Sequence, residues 1–275
     1  MKDEKIRKAV RKRYASVARE GSCCQSGSSC ATAQNLREEV SKRIGYNEEE
    51  MKSVPEGANL GLGCGNPVAL ASLKKGETVL DLGSGAGFDC LLAARKVGKT
   101  GKVIGVDMTP EMIDKARENT QKGKYDNVEF RLGEIENLPV GNGAVDVVIS
   151  NCVINLSPNK RRVFEEAFRV LKPQGRLMVS DIVLLKKLPE NVRKNVQAYV
   201  ECISGAELKD EYLQMIKGAG FKDVKILEEN SFPVENIASD PTVQEILKVS
   251  KVAAEEAKKI AMTVSSMKVH AVKPD

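Results

Sequence analysis

The sequence predicts an α/β protein built on a doubly wound, mostly parallel β-sheet. From about residue 78 onwards, short apolar segments alternate with amphipathic helical segments, and glycine or aspartate bounds the apolar segments. Short apolar strands separated by helices are typical of a parallel sheet that is covered on both faces. Right-handed crossovers between such strands then give the doubly wound arrangement.

The individual strands and helices follow from the same pattern. The clearest helix start has Thr109, rather than Asp107, as the predicted N-cap, with Pro110 at the first helical position and Glu111 in the first turn. The predicted strands are 78–82, 102–107, 127–132, 144–150, 175–183, 222–228 and 263–272, and the predicted helices are 3–19, 34–44, 88–97, 110–122, 159–171, 189–201, 207–219 and 241–259.

The pattern divides the chain into three regions. Residues 1–66 are predicted to be a helical appendage that contains cysteines, 67–185 the ligand-binding α/β domain, and 186–275 a region that completes the sheet and the substrate side. The chain has 275 residues, of which 41% are hydrophobic and 29% charged, so it can bury a full core.

The net charge of +5 is concentrated at the N-terminus. Residues 1–20 hold eight basic and three acidic residues, so the remainder is neutral overall. Ile6, Val10, Tyr14 and Val17 share one helical face, which favours a packed amphipathic helix over a nucleic-acid contact. Since no run of 18 apolar residues and no signal-peptide core occurs, we expect no membrane partner and a cytoplasmic location.

A glycine-rich loop follows the first predicted strand and opens a helix. It reads DLGSGAGF over residues 81–88, and its G-x-G-x-G spacing is one residue shorter than the dinucleotide fingerprint. Asp107 ends the second strand, where a carboxylate can accept hydrogen bonds from both hydroxyls of a ribose. After the third strand, Gly133, Glu134 and Ile135 could border an adenine, with Glu134 near its amino group. The order of these elements predicts a nucleoside-containing ligand.

The cysteines form the second group of candidate functional residues. An odd number of them argues against a disulfide framework, and their spacing lacks the CxxC pairs of structural zinc sites. With His270 as the single histidine, mixed Cys/His zinc sites are disfavoured and a soft, thiophilic ligand remains. The alternative for any one cysteine is a small buried hydrophobic residue, which we expect of Cys90. The seven are Cys23, Cys24, Cys30, Cys64, Cys90, Cys152 and Cys202.

The segments DLGSGAGFD, GKVIGVDMTPEMIDKAREN and FRLGEIENLPV together resemble the Rossmann-like class I S-adenosylmethionine methyltransferases, over roughly residues 76–182. The resemblance implies that S-adenosyl-L-methionine is the cofactor, that Asp107 holds its ribose, and that Asn151 lies near its methionine amino group. It further implies that Met108 and Ile135 sandwich the adenine. The residues implied at the cofactor are Asp81, Gly83, Ser84, Gly85, Gly87, Asp107, Met108, Gly133, Glu134, Ile135 and Asn151.

Three further segments, GLGCGNP, SNCVINL and ECISGA, resemble the cysteine motifs of arsenite methyltransferases. The resemblance covers roughly residues 55–225 and implies that Cys64, Cys152 and Cys202 ligate As(III). Trivalent arsenic is soft and suits thiolates. Cys23 and Cys24 also resemble N-terminal cysteines of the family. The sequence does not distinguish which of Cys23, Cys24 and Cys30 takes part in a redox relay or in arsenic loading.

This resemblance implies methylation of arsenite, or of an arsenite–thiol conjugate, in arsenic detoxification. An external thiol such as glutathione or thioredoxin would serve as reductant. The alternative enzyme is a methyltransferase of a quinone or another small acceptor, which would give the cysteines no role. A metalloid-sequestering module disagrees with the intact cofactor motif, and a nucleic-acid methyltransferase would show an NPPY-like motif where this chain reads SNCVINL.

Overall fold

The computed structural model describes residues 3–20, 30–190, 205–231 and 262–275. Within these ranges the strands form a single seven-stranded sheet in the order β3-β2-β1-β4-β5-β7-β6. The strands are β1 (Thr78–Leu82), β2 (Lys102–Asp107), β3 (Val128–Leu132), β4 (Val145–Asn151), β5 (Leu171–Leu184), β6 (Lys222–Ser231) and β7 (Val264–Val272).

The first five strands are parallel, and β7 lies antiparallel between β5 and β6. The predicted doubly wound, mostly parallel sheet is therefore confirmed. Strand β5 begins four residues earlier than predicted, because Leu171 already pairs with Val145 before an irregularity in the register of β4 and β5. The carboxyl ends of β1, β2 and β4 meet at one edge, which is where ligands bind in such sheets.

Helices cover both faces of the sheet and the carboxyl edge. Those predicted near 189–201 and 241–259 lie largely or wholly outside the described residues, and α3 and α4 are short helices that the sequence pattern did not predict. The helices are α1 (Asp3–Glu20), α2 (Cys30–Arg43), α3 (Glu48–Lys52), α4 (Pro67–Leu70), α5 (Phe88–Val97), α6 (Pro110–Gly123), α7 (Lys160–Val170) and α8 (Lys209–Gly218), with a 3-10 turn at Ile154–Leu156.

Alternate side chains of β1 pack into two separate hydrophobic cores, one on each face of the sheet, because successive side chains of a strand point to opposite faces. Val79 packs in a cluster with Leu91 of α5, whereas Leu80 packs on the opposite face in a cluster with Phe164 of α7 and Tyr212 of α8. All five side chains are fully buried. Because β1 is covered on both faces, its carboxyl end and the loop that follows it are held in a fixed position.

Helix α1 packs as an amphipathic helix. Ile6, Val10 and Val17 are buried, and its basic side forms ion pairs, among them Arg19 with Glu111 of α6 at 3.1 Å. The helix therefore lies against α6 and the carboxyl edge of the sheet. Among the described residues, none of the helices combines the length and the apolar character needed to cross a bilayer.

Candidate active site at the carboxyl edge of the sheet

A cavity of about 1080 Å³, open space at its mouth included, lies at the carboxyl ends of β1, β2 and β4. Helix α1 and the loop before α4 contribute its outer wall. The predicted site residues that line it are Asp81, Gly83, Ser84, Gly85, Asp107, Met108, Gly133, Ile135, Asn151 and Cys152. The structure thus brings most of the predicted cofactor residues to one place.

The glycine loop after β1 is shaped by positive backbone φ angles. Gly83 has φ 66° and Gly85 has φ 52°, both in the region that favours glycine. A Cβ on Gly83 would lie 2.3 Å from a methyl carbon of Val153, whereas a Cβ on Gly85 would meet nothing within 4 Å. The first glycine thus permits close packing beneath the loop, and the second leaves its backbone open toward the cavity.

Two predicted cofactor residues lie outside the cavity lining. Gly87 is the N-cap of α5 with φ 91°, and a Cβ there would lie 2.8 Å from Cζ of Phe130, so this glycine serves helix–sheet packing. Glu134 forms ion pairs with Arg7 at 3.3 Å and Arg11 at 3.7 Å of α1 instead of facing the cavity. Glu136, two residues later, lines the cavity and was missed by the sequence reading.

We expect Gly87→Ala to lower the free energy of unfolding by about 2–6 kcal/mol, because a strained φ and an overpacked contact each cost about 1–3 kcal/mol. Gly143→Ala is the control: Gly143 also has a positive φ of 57°, but a Cβ there would meet nothing within 4 Å. Denaturant unfolding should show a clearly larger loss for Gly87→Ala. Equal losses of unfolding free energy in the two variants would show that the contact between the new Cβ and Phe130 does not contribute to the destabilisation.

Two buried carboxylates, from Asp81 of β1 and Asp89 of α5, face the cavity. Burial raises the pKa of Asp81 well above its ordinary value, and the neighbouring Asp89 adds to the rise. Burial also raises the pKa of Asp89 to about 6, although the hydroxyl of Tyr46 and the amide of Asn151 donate to it at 2.6 and 3.0 Å. The sequence reading missed Asp89 and Tyr46, although Asp89 stands in the first turn after the glycine loop.

Asp107 adds a third carboxylate to the wall. Its Oδ2 accepts the N–H of Gly85 at 3.0 Å and its Oδ1 accepts the N–H of Thr109 at 2.8 Å. Thr109 is the N-cap of α6 as predicted, but Asp107, not the threonine side chain, makes the hydrogen bond at this helix start. Burial raises the pKa of Asp107, and the backbone N–H groups oppose that rise. Two buried carboxylates and the half-buried Asp107 on one wall suit a ligand that carries positive charge and hydroxyl groups.

The thiols of Cys64 and Cys152 meet beside this cavity. Their sulfur atoms and a carboxylate oxygen of Asp181 all lie within 4.8 Å of one another, and all three residues are buried. Cys152 directly follows β4 with φ 57°, and its N–H donates to the carbonyl of Ser180 at 2.8 Å. Cys64 arrives from the loop before α4, with its sulfur 3.5 Å from the same carbonyl.

Asn151 fixes the loop that carries Cys64. Its Oδ1 accepts the N–H of Cys64 at 3.0 Å, and its Nδ2 donates to the carbonyl of Gly65 at 2.8 Å. The same Nδ2 donates to Tyr46 and Asp89 in the cavity wall. One amide side chain therefore ties the cysteine loop to the carboxylates of the cavity.

The glycines on either side of Cys64 permit this close seating. A Cβ on Gly63 would lie 2.6 Å from Nδ2 of Asn151, and a Cβ on Gly65 would lie 1.9 Å from Oγ of Ser180. Both glycines therefore let the loop backbone approach β4 and β5 more closely than a side chain would allow.

Asp181 of β5 was not predicted as a site residue. It accepts hydrogen bonds from Asn155 at 2.8 Å, from the N–H of Ile182 at 2.9 Å and from the hydroxyl of Tyr212 at 3.1 Å. Burial raises its pKa to about 7 against the opposing effect of these donors and of Lys160. A carboxylate within the largely apolar run LMVSDIVL was the sequence signal that could have revealed it.

The other predicted cysteines lie away from this pair of thiols or outside the described residues. Cys23, Cys24 and Cys202 lie outside the described residues, and Cys30 is the first residue of α2. Cys90 is fully buried on α5 and donates to Asp81 at 3.2 Å.

Comparison with known proteins identifies the domain. A family profile described as a methyltransferase domain matches residues 73–220. An arsenite methyltransferase of Halobacterium salinarum is 47% identical over 230 residues, which are 81% of this chain and 59% of the relative. A demethylmenaquinone methyltransferase of Lactococcus lactis is 34% identical over 136 residues, 47% of this chain and 54% of the relative. The chain thus spans just over half the length of these curated relatives.

The match to one solved structure covers a larger share of the known protein than the matches to these relatives do. The crystal structure of an arsenic(III) S-adenosylmethionine methyltransferase from Chlamydomonas reinhardtii is 31% identical in sequence, with a TM-score of 0.64. The match covers 86% of this chain and 74% of that one. Together with the methyltransferase domain, this shows that the chain belongs to the family of arsenic(III) S-adenosylmethionine methyltransferases.

Proposed function

We propose that this protein transfers methyl groups from S-adenosylmethionine to trivalent arsenic held by the thiolates of Cys64 and Cys152. The observation that carries the proposal is the meeting of these two buried thiols, 88 positions apart in sequence, beside a cavity with carboxylate walls. Cys202 is proposed as a third thiolate on the strength of its ECISGA segment.

The cavity wall offers a fitting group for each part of the cofactor. We assign Asp81 and Asp89 to the methionine ammonium, since two buried carboxylates there need a positive partner. Asp107 lines the cavity at the end of β2, where its carboxylate can accept hydrogen bonds from the ribose hydroxyls. Met108 and Ile135 supply apolar surfaces for the adenine. When bound, the cofactor supplies an electrophilic methyl group on a sulfonium.

The thiols supply what arsenic needs as a nucleophile. Arsenite loses water as each thiol replaces a hydroxyl, and thiolate-bound As(III) keeps one lone pair directed away from its sulfur ligands. The lone pair requires no general base, which agrees with a site built from cysteines and carboxylates. The chain's contribution is to hold the arsenic beside the cofactor cavity, and such positioning supplies on the order of several kcal/mol of rate acceleration.

The wider role also belongs to this proposal. Methyl transfer leaves arsenic formally oxidised toward As(V), so each further round requires a thiol reductant such as glutathione or thioredoxin. The cysteines of the segment 23–30 are candidates for relaying those electrons. Thiolate ligands and thiol reductants both suit the reducing cytoplasm, where arsenic detoxification is the proposed purpose.

The direct test is incubation of the purified protein with arsenite, S-adenosylmethionine and a thiol, followed by chromatographic speciation of arsenic. Methylated arsenic is the expected product. Demethylmenaquinone in place of arsenite tests the quinone alternative, which gives Cys64 and Cys152 no role. Methylation of the quinone with no methylated arsenic would overturn the proposal.

Affinity for S-adenosylmethionine should rise between pH 5 and pH 7. Burial raises the pKa of Asp89 to about 6, and the carboxyl must lose its proton before it can pair with an ammonium. Below pH 6 the dissociation constant for S-adenosylmethionine should therefore fall by up to about tenfold for each unit by which the pH is raised. Calorimetric titration of the cofactor at pH 5, 6 and 7 measures this slope. The variant Asp89→Asn should bind more weakly with a flatter slope, and a slope as steep as in the wild type would refute the assignment.

A further inference from the structure

The carboxylate of Asp181 stands at the third corner of the cysteine site. One of its oxygens and the sulfur atoms of Cys64 and Cys152 lie within 4.8 Å of one another, and all three residues are buried. We propose that Asp181 contacts the substrate: it accepts a hydrogen bond from the hydroxyl that remains on arsenic once Cys64 and Cys152 are bound. This inference rests on the proposed function and adds a specificity-determining residue to it.

Asp181 has acceptor capacity for this contact. A carboxylate offers about four acceptor sites, two on each oxygen. From the residues that the structure describes, Oδ1 accepts two hydrogen bonds, from Asn155 and from the N–H of Ile182, whereas Oδ2 accepts one, from Tyr212. The acceptor site that remains is on Oδ2. The three donors also fix the carboxylate, so it meets a substrate without reorganisation.

The placement of Asp181 in the fold agrees with a contact to substrate. It follows Ser180 in β5, and the carbonyl of Ser180 accepts hydrogen bonds from Cys152 N–H at 2.8 Å and from the Cys64 thiol at 3.5 Å. One short segment of β5 therefore borders both cysteines and presents the carboxylate beside them. A carboxylate that served only to hold Tyr212 and Asn155 would not need this position next to two thiols.

The reaction of arsenite with the cysteine thiols determines at which stage Asp181 can accept a hydrogen bond from an As–OH group. Arsenous acid, As(OH)3, reacts with two thiols to give a dithiolate with one As–OH; two As–O bonds break, two As–S bonds form, and two water molecules leave. The oxidation state of arsenic does not change. Attack by a third thiol such as that of Cys202 then replaces the last hydroxyl and releases a third water. Asp181 thus acts on the two-thiolate stage, before the third thiolate binds.

The methylated substrate cannot use this contact. Methylarsonous acid, CH3As(OH)2, reacts with two thiols to give a dithiolate with one As–CH3, and both of its hydroxyls leave as water. No hydroxyl is left for Asp181. The residue should therefore favour inorganic arsenite over methylarsonous acid, and its removal should lower affinity for arsenite alone.

The test compares the two ligands on the variant Asp181→Asn in the Cys202→Ala background, where the two-thiolate complex is the final state. Binding of arsenite and of methylarsonous acid is measured by equilibrium dialysis under reducing conditions without competing dithiols. The amide keeps the size of the side chain but loses the charge-assisted acceptor. We expect the dissociation constant for arsenite to rise by about five- to tenfold, because the amide oxygen can still accept a hydrogen bond and only the contribution of the charge is lost. The dissociation constant for methylarsonous acid should change by less than about twofold.

Several controls make the outcome decisive. The stoichiometry of methylarsonous acid binding counts the folded sites in each sample, so misfolding of Asp181→Asn cannot imitate the result, and Asp181→Ala provides a second variant with the same expected selectivity. Equal loss for both ligands would mean that Asp181 only supports the structure, and no loss for either would also overturn the inference. If the Cys202→Ala parent binds neither ligand, the two-cysteine site of the proposed function fails instead.

Discussion

Replacement of Cys152 by serine is expected to reduce arsenic methylation by about 10³-fold or more, equivalent to about 4 kcal/mol in the activation barrier. A serine hydroxyl is a hard, neutral oxygen ligand and binds As(III) far more weakly than a thiolate. The substitution keeps the size of the side chain at a buried position with φ 57°. Affinity for S-adenosylmethionine should therefore remain close to that of the wild type. Steady-state speciation of methylated arsenic and calorimetric cofactor titration measure the two quantities separately.

Cys90→Ser is the matched control for this substitution. Cys90 is also buried, but its thiol donates to Asp81 instead of facing Cys64, and a serine hydroxyl can make the same donation. Arsenite binding should be unchanged in this variant. If Cys152→Ser still methylates arsenite at a rate comparable to the wild type, Cys152 is not an arsenic ligand.

Gly65→Ala is expected to reduce the rate of arsenic methylation by about 100-fold, the scale of loss that follows when a reacting group is misplaced by about 1 Å. The new Cβ would lie 1.9 Å from Oγ and 2.8 Å from Cβ of Ser180, so the loop that carries Cys64 has to move. Arsenite affinity should fall, because Cys64 and Cys152 no longer meet. Equilibrium dialysis of arsenite and the methylation rate measure the effect, with cofactor affinity as the internal reference.

Two further variants separate loop displacement from a general effect of alanine. Gly141→Ala places a Cβ where nothing lies within 4 Å, and it should behave as the wild type. Gly65→Ala combined with Ser180→Gly removes the clashing side chain and should recover part of the lost arsenite affinity. Full arsenite affinity in Gly65→Ala alone would contradict the position assigned to Cys64.

The parallel strands of the sheet could be predicted because each one is marked by the amino-acid pattern of its own short segment. Each parallel strand is a short apolar run bounded by glycine or aspartate, and Asp107 and Cys152 follow such runs directly, so their place at the carboxyl edge follows from the strands. One strand boundary depends on non-local pairing. The early start of β5 is set by Leu171 pairing with Val145 across the sheet, and the sequence of β5 alone contains no trace of that contact.

The connections within the candidate site could not be predicted from sequence. Asn151 joins Tyr46, Asp89 and the Cys64 loop through hydrogen bonds that span 62 to 105 positions of sequence. Glu134 lies where an adenine contact was expected, yet Arg7 and Arg11 from the distant helix α1 pair with it. Side-chain partners of this kind are decided by packing between remote segments, which no local pattern records.

The central claim is that arsenic held by Cys64 and Cys152 is the methyl acceptor, and a single-turnover experiment tests it most directly. The protein is loaded with one equivalent of arsenite, freed of excess, and mixed with S-adenosylmethionine labelled in its methyl group. The label should appear on arsenic in the wild type, and Cys152→Ser treated in the same way should give no labelled arsenic. Label found on protein or solvent products, with none on arsenic in the wild type, would contradict the claim.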